Sequence, residues 1–147
     1  MGSVLATMLF GLFLLFASLA FASVKITYAY VLMPALTLTG ASVCLAAWTL
    51  MHNKPGNFNF SPTPKPWCIF VSTGPYQWIR HPMYTSLLLG TGALALTSIP
   101  FFGGVAWSVL AVVLLLISIL EERWMREQHP GYSYYAQDSK RFLPWIF

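Results

Sequence analysis

Four apolar stretches alternate with short polar breaks along the chain, at 4–22, 26–51, 84–99 and 103–120. Each is close to the ~20 residues that cross a bilayer as helix, the third being the shortest. Pro100 and Gly103-Gly104 mark a tight, uncharged turn between the last two, which predicts a helical hairpin. A polar segment at 52–83 separates the second and third stretches, and a polar tail follows from 121 to 147. The pattern predicts an all-α integral membrane helical bundle: a single domain over 1–147 with about four transmembrane helices, a loop at 52–83 and a tail at 121–147. Composition agrees, because 57% hydrophobic and 8% charged residues lie far from the roughly 25% charged content of soluble domains.

Charge adds an orientation. Lys54, Lys65 and Arg80 fall in the loop, Arg123, Arg126, Lys140 and Arg141 in the tail, and only Lys25 between the first two stretches. Cationic loops stay cytoplasmic, so loop and tail are expected inside, with both termini cytoplasmic and the turn around Phe101 outside. A compact chain of this kind suits a prokaryotic inner membrane. The net charge of +4 is spread over three polar segments, which reads as membrane anchoring and argues against nucleic acid as a partner. Ala20-Phe21-Ala22 resembles a signal cleavage site, but no Lys or Arg precedes it, so a retained helix is expected. Cys44 and Cys68 lie in settings too different to imply a bridge.

The loop divides in two. Residues 52–67 carry Pro55, Pro62, Pro64 and Pro66, which deny regular helix and suit a spacer or lid. Phe58, Phe60, Trp67 and Phe70 are placed to dip among headgroups. Thr73-Gly74-Pro75-Tyr76 then reads as a helix start, with Thr73 as cap and Pro75 in the first turn. A short interfacial helix is expected to follow, until Pro82 stops it and draws His81 toward an extended conformation. That geometry would leave amides at the start of the third span open to an anion.

The chemistry gathers where the loop meets that span. Arg80 reads either as an anchor to lipid phosphate or as a clamp for a carboxylate or phosphate. His81 reads as a cap or as a base, and Tyr76 and Tyr84 as aromatic belt or as ligand contacts. Glu121 and Glu122 emerge at the C-terminal end of the fourth span, where the helix dipole already presents partial negative charge, so they call for a cationic partner. That partner is a neighbouring arginine in one reading and a sulfonium or ammonium in the other. His52, His81 and His129 lack the spacing of a metal site, and none is expected. The tail starts as helix, meets Pro130-Gly131, and ends in the amphipathic stretch Phe142-Leu143-Pro144-Trp145.

The string VSTGPYQWIRHPMYTS, the apolar hairpin, Glu121-Glu122 and a tail with Tyr132, Tyr135, Arg141-Phe142 and Pro144 together resemble the isoprenylcysteine carboxyl methyltransferase and phospholipid N-methyltransferase superfamily. The match covers the C-terminal half. The resemblance implies S-adenosylmethionine bound at the cytoplasmic face, in a pocket closed by the interfacial helix and the tail, with a lipophilic acceptor entering from the bilayer. It implies cofactor contacts from Tyr76, His81, Pro82, Tyr84, Glu121, Glu122, Tyr132 and Tyr135. Arg80 and one of Glu121 or Glu122 would stand at the reacting centre. Gln128-His129-Pro130-Gly131 replaces the Phe-Gly usual in relatives, which leaves open which glutamate faces inward. Methyl transfer is an in-line displacement needing alignment in a dry site and no covalent nucleophile.

The acceptor could be an isoprenylcysteine-like carboxylate or thiol, a phospholipid amine or a small apolar metabolite, and the oligomeric state is not legible. The competing class is a non-enzymatic membrane protein, such as a transporter subunit or assembly factor. Against transport, every charged side chain falls at an expected edge of a span rather than deep within one.

Overall fold

A computed structural model describes residues 29–53 and 70–146. The first apolar stretch at 4–22 with its signal-like ending, the start of the second at 26–28, and the proline-rich connector with Phe58, Phe60, Trp67 and Cys68 lie outside the described residues. Helix α1 spans Ala29–His52, α2 Pro82–Thr97, α3 Pro100–Gln128 and α4 Tyr132–Asp138. A single 3-10 turn, Gly74–Gln77, precedes α2. Among the described residues there is no strand, only an isolated parallel bridge between Ile79 and Lys140.

The expected hairpin is present, and its turn is tighter than the sequence pattern implied. Only Ser98 and Ile99 lie between α2 and α3. Pro100 opens the second helix, where its missing amide proton costs no helical bond. Gly103 sits inside α3 rather than in the turn. A Cβ there would run into the Ser98 hydroxyl and lie 2.7 Å from the Ala95 carbonyl, so a side chain at this position would push the two helices apart.

Leu110, Leu114 and Ile117 form the hairpin's buried seam, packed by Tyr84, Leu87, Leu88, Leu94 and Trp107. The Trp107 indole N–H donates to the Leu88 carbonyl at 2.9 Å, tying the helices where lipid offers no alternative acceptor. Helix α1 packs on α2 along one face, with Ala35 and Thr49 buried and the Ser42 hydroxyl donating to the Ser86 carbonyl at 2.7 Å. Leu32, Met33, Leu36, Val43 and Leu50 point outward, a display far too apolar for water but ordinary against lipid.

Two described helices are long and apolar enough to cross a membrane, Val31–His52 and Pro100–Gln128. At ~1.5 Å per residue α3 is about 43 Å long, whereas the hydrocarbon core is about 30 Å thick. The excess is its polar end, which carries Glu121 and Glu122 beyond the last apolar turn.

The expected interfacial helix is corrected. Regular turn ends at Gln77: the Trp78 and Ile79 amides still bond back to the Pro75 carbonyl, but the Trp78 carbonyl and the Arg80 and His81 amides pair with the tail instead. Thr73 occupies the capping position, but its side chain makes no cap bond. Pro82 starts α2 rather than stopping the preceding helix, with His81 at φ −124° ahead of it. Gly74 takes φ +62°, and a Cβ there would collide with the His52 ring, so only glycine lets this turn close over the end of α1.

Candidate functional site

Backbone pairing builds the site. The Arg80 amide donates to the Lys140 carbonyl at 2.7 Å, the Lys140 amide to the Trp78 carbonyl at 2.9 Å, and the His81 amide to the Arg141 carbonyl at 3.1 Å. The Thr85 hydroxyl in the first turn of α2 adds a bond to the Phe142 carbonyl at 2.9 Å. The tail is thereby fastened along the Arg80-His81-Pro82 segment, and both face the polar end of α3.

Glu122 lies at the centre, 0% exposed. Its Oε1 accepts from Arg80 Nε at 2.9 Å, from Arg141 Nε at 2.9 Å and sits 3.2 Å from His81 Nε2. Its Oε2 accepts from Arg141 Nη2 at 2.9 Å and from Arg126 Nη2 at 3.3 Å. An isolated carboxylate would not tolerate such enclosure, and charge-assisted bonds of this number compensate its desolvation. Arg80 Nη1 also donates to the carbonyls of Ala136 and Ser139, which caps the C-terminal end of α4 with positive charge.

Glu121 points another way. It accepts from the Tyr84 hydroxyl at 2.7 Å, its Oε2 is 3.5 Å from His81 Nδ1, and its side chain keeps 24% exposure. His81 therefore stands between the two carboxylates, stacked on Tyr84 with ring centroids 5.4 Å apart and planes within 3°. A ring carrying protons on both nitrogens can donate to both glutamates at once.

The remaining residues expected from sequence serve the tail. Tyr132 is buried and packs with Tyr135 against Phe70, and the Tyr135 hydroxyl donates to the Tyr76 carbonyl at 2.6 Å. Burial pushes the Tyr135 hydroxyl up to about 12 and raises that of Tyr132 also. Pro82 is buried as the opening residue of α2. The described tail end is irregular, with Phe142 turned inward and Leu143, Trp145 and Ile146 outward. His52 lies against Trp48 and Gly74, and His129 stacks on Phe70, so neither joins His81.

Sequence reasoning missed Arg141. It was visible as one more tail cation and as part of the Arg-Phe pair, yet counting it as an anchor hid its grip on Glu122. That grip holds its guanidinium protonated, raising it above its ordinary value against the opposing effect of burial.

What the arrangement offers chemically is one enclosed, fully compensated carboxylate beside a second that is part open, hydrogen-bonded and flanked by aromatic rings. The second can face a cationic group. No curated protein resembles the chain closely enough to count as a match. The phospholipid methyltransferase family pattern matches residues 56–131, just over half the chain, taking in the Arg80-His81-Pro82 segment, the hairpin and both glutamates. On that match and this geometry, the chain belongs to the phospholipid methyltransferase family.

Proposed function

We propose that the chain transfers a methyl group from S-adenosylmethionine to a lipophilic acceptor at the cytoplasmic face of a membrane, with four crossings and both termini inside. The observation that supports this most is the division between the glutamates, with Glu122 enclosed by cations and Glu121 held part open by Tyr84 and His81. The donor set fits a molecule with an ammonium, a sulfonium and an aromatic base. Glu121 would take the cationic amino-acid end, and the Tyr84 and His81 rings would line its approach. When bound, S-adenosylmethionine supplies the activated methyl group.

The chain's own residues then align and shield. The tail, fastened through residues 140–142, keeps water from the reacting atoms, which strengthens each charge interaction there. In the alternative role for the same carboxylate, Glu121 would instead accept a proton from an acceptor thiol or ammonium. Arg80, engaged by Glu122 and the α4 carbonyls, acts in this reading by holding the tail.

Purified protein given methyl-labelled S-adenosylmethionine and a total lipid extract should label a lipid or prenylated product, which also names the acceptor. Glu121→Gln should cut that transfer by ten- to a hundredfold, the loss of a charge-assisted contact of about 1.5–3 kcal/mol. Absence of label, together with no heat of binding for S-adenosylhomocysteine, would return the chain to the non-enzymatic class.

A further inference from the structure

We infer that Arg141 is a positioning residue of the site, seating the tail on α2 and, through Glu122, fixing the His81 ring that orients Glu121. The inference rests on the proposed function only for its kinetic arm. Arg141 engages both oxygens of Glu122, at 2.9 Å each, while its carbonyl accepts the His81 amide at 3.1 Å. One residue thus grips the carboxylate that touches His81 Nε2 and also holds the His81 backbone.

Its neighbours strengthen the placement. Lys140 pairs with Trp78 and Arg80, and Phe142 with Thr85, so three successive tail residues are bonded to 78–85. Arg141 links the tail to α3 directly through its own side chain, Arg80 does so by bridging Glu122 to the Ala136 and Ser139 carbonyls, and Arg126 reaches Glu122 from within α3 and cannot hold the tail. A planar guanidinium spans two carboxylate oxygens, and an ammonium cannot. Removing Arg141 leaves Glu122 with Arg80, His81 and Arg126 and leaves Arg80 on the Ala136 and Ser139 carbonyls, so the helices are expected to stay assembled while the tail loosens around 140–142.

Deuterium uptake in detergent, without ligand, is compared for the wild type, Arg141→Ala, Arg141→Lys and an Arg123→Ala control, whose side chain pairs with Glu127 away from the site. Arg141→Ala should speed exchange at the amides of 80, 81 and 140 and leave the middle of α3 unchanged. A tail seated a tenth of the time raises the donor KM about tenfold, while kcat should change by less than about threefold, since binding rather than the chemical step is affected. Arg141→Lys should fall between, and carries the same test if the alanine variant does not fold. Unaltered exchange and donor KM in both variants would overturn the inference. Faster tail exchange in a protein whose wild type methylates nothing would sink the methyltransferase reading and leave Arg141 as the tail's fastening.

Discussion

Glu122 shows how one residue's environment separates it from an identical neighbour. Two glutamates adjacent in sequence point about 100° apart on a helix of 3.6 residues per turn, so one enters the cationic cluster and the other turns toward Tyr84. Replacing Glu122 with Gln keeps the volume but strands the part-buried guanidinium groups of Arg80 and Arg141 around a fully buried neutral amide. Breaking a buried ion pair in this way costs about 3–5 kcal/mol, so the variant should unfold at markedly lower temperature or denaturant in detergent. A melting curve unchanged from wild type would contradict the central role given to this carboxylate. The sequence revealed that the pair needed a partner, because acidic groups gain nothing at a helix C-terminus. It did not reveal which glutamate turned inward, because the cations that select Glu122, Arg80 and Arg141 above all, come from segments distant in sequence.

At the scale of elements, the hairpin was legible and its closure was not. Apolar length and the Pro100 break marked two helices, but the two-residue connection follows from Gly103 meeting Ser98 and Ala95, a contact between chain segments that spacing does not encode. Gly103→Ala should therefore splay the hairpin and cost about 1–3 kcal/mol, as overpacking typically does, which unfolding in detergent would measure. The interfacial helix failed as an expectation for a related reason. Local propensity favoured continuing from Pro75, yet pairing between Trp78, Arg80 and Lys140 diverted the backbone. Such pairing joins residues some sixty positions apart, beyond what a window of sequence can register.

For the molecule as a whole, the described end of the loop, the polar end of α3 and the tail assemble around Glu122. Tail docking should also be alkali-sensitive. Tyr135 ionises only near 12 when docked, while a free tyrosine ionises at about 10. Its neutral form is thus favoured in the docked state: the contribution is complete below pH ~10 and is lost as pH rises toward 12. Tyrosinate absorbance followed alongside protease sensitivity of the tail should show both changing in that window, and Tyr135→Phe should remove part of the effect. The shared carboxylate also constrains how such a protein can drift over generations. With Arg80, His81, Arg126 and Arg141 converging on Glu122, the penalties of losing them are not additive. Once the glutamate has gone, discarding a surrounding cation becomes neutral or favourable, so the order in which substitutions arise decides which lineages survive.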